Sequence, residues 1–306
     1  MAKRYKKGIV IRAFAEDPNF LGGCGFIRSV DDYAWIFSRA RGGGFTGVQP
    51  YLALEGGVLN LASSAGVLRS IKQFAADEGV DLPSLEIAPL EYSLTSGTDT
   101  VRARGVEVVK RAIEVAAELN SAGVLVIPGY VGRMWDSQTD QVDYEDAWNR
   151  TVAGLREVVA DAERLKVSVL VEPIWNMFLL SPLEMRRLID EVASTHCGVL
   201  LDTGNVTLFG FAEQWMRILG HRIQQVHLKD FRRQVGNING FVPLLAGDVN
   251  WPAVVDAARK TGFDGYWIAE QFPFQHHGDS ILEATSRAMD RIFGIAAGGA
   301  LEASSQ

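Results

Sequence analysis

Four residues with side chains that commonly bind metal ions lie at the ends of four consecutive apolar segments in the second half of the chain. They are Glu172, Asp202, His227 and Glu270, and each sits at or beside the carboxyl end of a short aliphatic run. Because a buried carboxylate costs free energy unless it is compensated, three of them brought together need a neutralising partner. One imidazole with three carboxylates is an oxygen-rich ligand set that suits hard or borderline cations. The four residues therefore predict one bound divalent metal ion, which we expect to be Mn²⁺, with Mg²⁺ or Co²⁺ as alternatives.

The elements that must position these residues can be read from hydrophobic runs along the chain. Eight short runs rich in β-branched residues have the composition of strands buried on both faces. They cover residues 9–14, 47–52, 85–90, 124–128, 167–172, 198–202, 223–228 and 266–270. Between most of them, apolar residues recur with helical spacing. These helical stripes cover residues 101–119, 147–162, 182–192, 252–258 and 281–295.

Alternation of strand and helix predicts a parallel sheet covered by helices, and eight strands fit a closed (β/α)8 TIM barrel. The length of 306 residues suits one such barrel of about 250 residues with extensions. We therefore expect an α/β protein with a single TIM-barrel domain over residues 1–306, a core from about 8 to 295 and a flexible tail at 296–306. Barrel enzymes carry their active sites at the C-terminal ends of the strands, where the four candidate ligands lie.

Two Xaa-Pro pairs predict helix starts. Ser181 precedes Pro182, so a capping hydroxyl stands before a proline at the first helical position. Trp251 precedes Pro252 and is expected to begin a second helix in the same way, with a poorer cap.

Composition and charge argue against several functional classes. A net charge of −7 and a pI near 5.3 have the wrong sign for a nucleic-acid partner. Cys24 and Cys197 are too few for a disulfide framework, and we expect two buried or half-buried thiols. No run approaches the roughly 18 apolar residues of a membrane span, and the N-terminus lacks the apolar run of a signal peptide. We expect a cytoplasmic protein without membrane or nucleic-acid partners.

The motifs at the strand ends resemble those of a known family. In chain order they read Glu172-Pro173, Asp202-Thr203-Gly204-Asn205, His227-Leu228-Lys229-Asp230 and Glu270. This order resembles the xylose isomerase-like TIM barrel superfamily, which includes ketose 3-epimerases of the tagatose and allulose type, hydroxypyruvate isomerases, inosose dehydratases and endonuclease IV. The sequences Gly-Asp-Val-Asn-Trp at 247–251 and Gly-Phe-Asp-Gly-Tyr at 262–266 are similar to the family's approach to its last strand.

The resemblance implies that Glu172, Asp202, His227 and Glu270 bind one metal ion, and that Glu172 and Glu270 flank the carbon that loses its proton. A metal that polarises a carbonyl and its neighbouring hydroxyl makes the adjacent C–H acidic. One glutamate would remove the proton and the other would return it on the opposite face, which gives epimerisation. Return to the adjacent carbon gives isomerisation, and loss of a β-hydroxyl gives dehydration. We expect a metal-dependent isomerase or epimerase that acts on an unphosphorylated ketose or keto-sugar through an enediolate.

Two positions depart from the ketose-epimerase pattern. Asn205 stands three residues after Asp202, where those epimerases usually carry a histidine. It can hydrogen-bond a substrate hydroxyl but cannot shuttle a proton. Gln49 ends the second strand, where many relatives carry a glutamate. Epimerisation, isomerisation and elimination therefore all stay open at this stage.

Four residues near the candidate ligands are expected to contact the substrate: Arg233, Lys229, Asn205 and Trp175. Arg233 lies six residues after His227 and matches an arginine of the epimerases that the chain resembles. Lys229 shares the inward face of its strand with His227, so it could bind a substrate oxygen or pair with a barrel carboxylate. Trp175 lies on the loop after Glu172, where its ring could stack on a sugar.

Other functions on the same scaffold compete with an epimerase. A lyase, either an inosose-type dehydratase or the catalytic subunit of a C-glycoside-cleaving complex acting on a 3-keto sugar, would use the same site, and the latter would need a different partner subunit. An endonuclease IV-like nuclease would need a three-metal cluster with more histidines, whereas Asn205 and Asn250 stand where such ligands would be wanted. A non-catalytic barrel would need no tightly bound metal. For the epimerase we expect a small sugar substrate and a homo-oligomer.

Overall fold

The computed structural model describes residues 5–15, 24–89, 91–134, 136 and 140–294. Within these residues, parallel strands alternate with helices along the chain. The strands are β1 (Lys6–Val10), β2 (Gly47–Gln49 and Tyr51–Leu52), β3 (Leu85–Ile87), β4 (Gly123–Val126), β5 (Ser168–Val171), β6 (Cys197–Asp202), β7 (Ile223–Leu228) and β8 (Tyr266–Ala269). Pro50 divides β2 into two segments because proline has no backbone N–H to donate to the sheet.

The strands close into a barrel. β1 pairs with β8 on one side and with the first segment of β2 on the other. The second segment of β2 pairs with β3, and each later strand pairs with the next as far as β8. All of these pairings are parallel, so the two segments of β2 together complete the ring. The predicted (β/α)8 TIM barrel is confirmed.

Helices cover the outside of the barrel, and one short helix of five buried residues follows the sixth strand. They are α1 (Asp32–Gly42), α2 (Ala65–Glu78), α3 (Asp99–Leu119), α4 (Tyr144–Leu165), α5 (Pro182–Val192), α6 (Thr203–Thr207), α7 (Ala212–Leu219), α8 (Trp251–Thr261) and α9 (Ser280–Phe293). Each predicted helical stripe falls on one of them. Of the helices in the described part of the chain, none has the length and apolar content that crossing a membrane would require.

The two predicted helix starts have different outcomes. The Ser181 hydroxyl accepts a hydrogen bond from the backbone N–H of Leu183 at 3.2 Å, which confirms the first. The second helix does begin at Trp251 and Pro252, but the predicted cap is wrong, because the side chain of Asn250 caps the helix through the N–H of Ala253. An indole can only donate a hydrogen bond, so it cannot cap a helix N-terminus.

The predicted bounds of the first strand are wrong. The prediction of 9–14 rests on an apolar run, but β1 is Lys6–Val10 and Ile11–Phe14 forms a buried 3₁₀ turn. The run indicated burial rather than strand pairing. The strand begins instead at two lysines, Lys6 and Lys7. The Lys7 ammonium is compensated by the carboxylate of Asp290 in α9, at 2.7 Å. The end of the predicted third strand at residue 90 and the tail at 296–306 lie outside the described residues.

The inside of the barrel is apolar on one side and polar on the other. Leu125, Leu170 and Leu200 form a small cluster apart from the main core between strands and helices. Because residues two apart on a strand share a face, Leu170 lies beneath Glu172 and Leu200 beneath Asp202. On the opposite side the buried layer is polar and consists of Gln49, Ser84 and Gln225. The barrel thus places its polar interior under His227.

Candidate metal centre and active site

The four candidate ligands meet at the mouth of the barrel. Glu172 directly follows β5, Asp202 ends β6, His227 is the fifth residue of β7 and Glu270 directly follows β8. One ligand atom from each lies within 4.8 Å of the other three, and all four residues are buried. Nδ1 of His227 lies 3.1 Å from a carboxylate oxygen of Glu172 and 3.1 Å from one of Glu270. Oδ2 of Asp202 is 3.9 Å from the same nitrogen.

Burial and mutual contact shift the protonation of this cluster. Burial alone would lower the pKa of His227, but hydrogen bonds with Glu172 and Glu270 raise it to about 10. Burial raises the pKa of Asp202 to about 7, against the opposing charge of Lys229. Burial would also raise the pKa of Glu270, but Lys229 and His227 hold it well below its usual range. The protonated imidazole is therefore the cation that lies between the carboxylates.

Two further cations and a fourth carboxylate border the cluster. The Lys229 ammonium lies 3.0 Å from Oδ2 of Asp202 and 2.7 Å from Oε2 of Glu270. The Arg12 guanidinium lies 2.7 Å from Oε1 of Glu86 and 3.5 Å from Oε1 of Glu270. Burial raises the pKa of Glu86, while Arg12 opposes that shift. Sequence reasoning missed both Arg12 and Glu86, because nothing in the sequence shows that β1 and β3 bring them together.

The donor set fits one divalent cation. Oδ2 of Asp202 is buried, and its close polar contact is the ion pair with the Lys229 ammonium at 3.0 Å. The charged groups around His227 are Glu86, Glu172, Asp202, Glu270, Arg12 and Lys229. When all are ionised and His227 is neutral, as a metal ligand must be, four carboxylates and two cations leave two negative charges in a buried space. Such an imbalance is costly in a low-dielectric interior, and one divalent ion beside a neutral His227 would remove it.

Helix α6 holds Asp202 and brings Lys229 close. Oδ1 of Asp202 accepts a hydrogen bond from the N–H of Asn205 at 2.8 Å and so caps the helix. The Thr203 hydroxyl contacts the carbonyl of Lys229 at 2.8 Å. A Cβ on Gly204 would lie 2.9 Å from Cβ of Lys229, so only glycine permits this approach. The short helix therefore fixes one carboxylate with its second oxygen turned toward the cluster.

The predicted substrate contacts are placed in different ways. Lys229 pairs with cluster carboxylates, as one of its two expected roles required. Asn205 donates from Nδ2 to the backbone carbonyl of Pro173, and the backbone carbonyl of Asn205 accepts from Nε1 of Trp175. Trp175 is buried and stacks on Phe241 with ring centroids 5.0 Å apart. Asn205 and Trp175 thus support the loops beside the cluster, and substrate contact by either stays a prediction.

Arg233 turns toward backbone carbonyls. Its Nε donates to Thr207 and its Nη2 to Gly210, each at 3.0 Å, and the guanidinium lies over the ring of Phe211. Its backbone N–H donates to Asp248. These bonds tie the segment after β7 to the end of α6, and the role of Arg233 as a substrate contact stays a prediction.

A cavity of about 440 Å³ opens beside the cluster. Lys229 and Glu270 lie at its inner end, and the other lining side chains are mostly apolar or aromatic. Among them are Phe241, Phe272 and Phe274. The cavity is therefore an open approach to the candidate metal centre, with aromatic walls that could lie against a sugar ring.

Residues 37–292 match the family model described as xylose isomerase-like TIM barrel. The chain belongs to this family. The predicted resemblance is thus confirmed.

Relatives and solved structures agree with this membership. The chain is 31% identical over 169 residues to the 2-epi-5-epi-valiolone 7-phosphate 2-epimerase of Actinoplanes sp., a match that covers 54% of this chain and 55% of that protein. It is 27% identical over 206 residues to the L-ribulose-5-phosphate 3-epimerase of Salmonella typhi, over 64% of this chain and 66% of that protein. The chain thus spans less than two thirds of the length of these relatives. The structure of D-psicose 3-epimerase with D-tagatose from Clostridium cellulolyticum H10 matches with a TM-score of 0.73 at 16% identity, covering 95% of this chain and 99% of that one.

Proposed function

We propose that this protein is a metal-dependent epimerase or isomerase of an unphosphorylated keto-sugar. The observation that carries the proposal is the convergence of Glu172, Asp202, His227 and Glu270 on one buried point at the barrel mouth. The relatives named above are both epimerases of sugar-like substrates, which supports the same class of reaction.

In this proposal Glu172, Asp202, His227 and Glu270 hold one divalent ion, Mn²⁺ by preference. Such an ion, when bound, polarises a carbonyl and its neighbouring hydroxyl and so acidifies the adjacent C–H. Asp202, fixed by its cap on α6, supplies Oδ2, the oxygen that is not used for the cap and that lies 3.0 Å from the Lys229 ammonium. His227 supplies Nδ1, which faces the carboxylates.

Glu172 and Glu270 are the groups that move the proton. They follow β5 and β8, so they approach the cluster from the two ends of an arc of four strands, with Asp202 and His227 between them. One carboxylate on each side of a bound substrate could remove a proton from one face and return it to the other. Lys229, His227 and Arg12 keep Glu270 ionised.

The cavity favours a substrate without a phosphate group. The one cationic side chain that lines its described wall is Lys229, and that ammonium already contacts two carboxylates. A phosphate would bring about two negative charges next to this acidic cluster at neutral pH. The two relatives are epimerases of phosphorylated substrates, whereas we propose a substrate without a phosphate for this chain.

A panel of keto-sugars tests the proposal. Purified protein is stripped with a chelator, reloaded with Mn²⁺ and incubated with pairs of free and phosphorylated ketoses, and the products are identified by NMR and mass. We expect turnover of a free ketose to a product of equal mass, and loss of turnover after chelation. Loss of water or of a larger fragment would indicate elimination and contradict the proposal, as would turnover of the phosphorylated member alone.

A further inference from the structure

A chain of hydrogen bonds runs through the barrel interior to His227. Nε2 of Gln225 lies 2.5 Å from the carbonyl of Pro83, and Oε1 of Gln225 lies 2.6 Å from the Ser84 hydroxyl. Nε2 of Gln49 lies 2.8 Å from the same hydroxyl, and Oε1 of Gln49 lies 2.9 Å from Nε2 of His227. All four side chains are buried.

The donors and acceptors of this chain of hydrogen bonds can be arranged in one direction only. A backbone carbonyl accepts and never donates, so Gln225 must present its amide N–H to Pro83 and its oxygen to Ser84. Ser84 has one hydroxyl proton, which it gives to that oxygen, so its lone pairs face Gln49. Gln49 must then donate to Ser84 with its amide nitrogen. Its oxygen is left for His227, which has to donate from Nε2.

We infer that Gln49, Ser84 and Gln225 are positioning residues that set the tautomer of the metal-binding histidine. They hold a proton on Nε2 of His227 and so reserve the lone pair of Nδ1 for the metal ion. The reversed chain would place an amide oxygen against the carbonyl of Pro83 and an amide N–H against Nε2 of His227. That arrangement would orient the ring for the wrong tautomer, with its lone pair on Nε2.

This inference deepens the proposed function and rests on it, since it concerns a ligand of the proposed metal. It gives a role to Gln49, which ends the second strand at the position where many relatives carry a glutamate. A metal-binding histidine commonly donates its other ring N–H to a neighbouring acceptor, and loss of that acceptor weakens metal affinity about 10- to 100-fold. Here the acceptor is the neutral amide of Gln49. Its orientation is set by the backbone carbonyl of Pro83, through about three consecutive hydrogen bonds.

The test uses metal binding and NMR rather than turnover. Protein with ¹⁵N-labelled histidines is loaded with Zn²⁺, a diamagnetic probe, and the proton position on His227 is read from long-range ¹H–¹⁵N correlations. The His227→Asn variant assigns its signals among the five histidines. Mn²⁺ affinity is measured for Gln49→Met, Gln49→Glu and Ser84→Ala. Ser121→Ala is the matched control, because Ser121 is also a buried serine just before a strand, with its hydroxyl bonded to the Gly123 carbonyl.

We expect a proton on Nε2 in the wild type, and about a 10-fold or greater loss of Mn²⁺ affinity in Gln49→Met and Ser84→Ala. Gln49→Glu keeps an acceptor for Nε2 and should bind Mn²⁺ more tightly than Gln49→Met. Ser121→Ala should match the wild type. A proton on Nδ1, or equal Mn²⁺ affinity across the series, would overturn the inference and leave the proposed function standing. Should Gln49→Met fail to fold, the wild-type tautomer and Ser84→Ala still decide the question. A wild type that binds neither ion would overturn the proposed function itself.

Discussion

At the scale of single residues, the two candidate catalytic glutamates are not equivalent. Oε2 of Glu270 lies 2.7 Å from Lys229 and 3.1 Å from His227, and Oε1 faces Arg12 at 3.5 Å. Glu172 pairs with His227 at 3.1 Å. The stronger positive surroundings of Glu270 hold its pKa low and keep it ionised. This asymmetry keeps Glu270 ionised but lowers its basicity, so we do not expect the two glutamates to be interchangeable in the proposed proton transfer.

Glu270→Gln and Glu172→Gln should each lower the rate of proton exchange into a substrate ketose by about 10²–10⁴-fold at saturating Mn²⁺. An amide keeps the size of the side chain but cannot take up the proton. The rate is followed as loss of the substrate C–H signal in D₂O. Glu118→Gln on the exposed face of α3 is the control and should match the wild type. Unchanged exchange in both site variants would exclude them as the proton-transfer groups.

Metal binding should release a proton from His227. Its pKa of about 10 means that the ring is charged at pH 7, so a metal ion must displace a proton to reach Nδ1. Mn²⁺ affinity is therefore expected to rise from pH 7 toward pH 10 and to level off above it. Calorimetric titration in buffers of different ionisation enthalpy measures the protons released. Affinity that stays constant over this range would contradict coordination by a ring that must first lose a proton.

At the scale of elements, the sequence predicted the convergence of the four candidate ligands but few of the residues around them. Apolar runs that end in acidic or imidazole side chains predicted β5 to β8, because a parallel barrel brings the carboxyl ends of its strands to one face. Arg12, Glu86 and Gln49 escaped prediction as partners of the cluster, since their contacts depend on strand register and on closure through β2. Local sequence does not encode such contacts. The misplaced first strand has the same origin, because a buried 3₁₀ turn and a buried strand share one composition.

The close packing of α6 on the end of β7 should not tolerate an added methyl group. Gly204→Ala would place Cβ 2.9 Å from Cβ of Lys229 and 3.1 Å from its backbone carbon. We expect a loss of about 1–3 kcal/mol in unfolding free energy from this overpacking, together with weaker Mn²⁺ binding through the displaced Lys229 and Asp202. Denaturant unfolding measures the first effect.

Gly66→Ala is the matched control for Gly204→Ala. Gly66 lies in the first turn of α2, and its added Cβ would come no closer than 3.6 Å to another residue. Alanine there should leave stability unchanged or raise it by up to about 1 kcal/mol. Equal stability of the two variants would contradict the account of α6.

At the scale of the whole molecule, the metal would join four strands on one side of the barrel. A ligand that binds the folded state at 100 times its Kd stabilises it by about 2.7 kcal/mol. For a chain of this length that corresponds to a rise in Tm of about 4 °C. Calorimetry of chelated and Mn²⁺-loaded protein should show this rise, and Asp202→Asn should lose most of it. A rise of the same size in that variant would indicate binding elsewhere.

At the scale of the whole molecule, the net charge of −7 has the wrong sign for a nucleic-acid partner and does not oppose an uncharged sugar substrate. The homo-oligomer, the cytoplasmic location and the limits of the domain stay predictions.

The central claim concerns one ion on four side chains, and equilibrium dialysis against Mn²⁺ tests it most directly. The wild type should bind one tightly held ion per chain. Asp202→Asn and His227→Asn should bind much less, and Asp190→Asn, which alters an exposed carboxylate paired with Arg222, should bind as the wild type does. Absence of tightly bound Mn²⁺ in the wild type, or equal binding by all four proteins, would contradict the account.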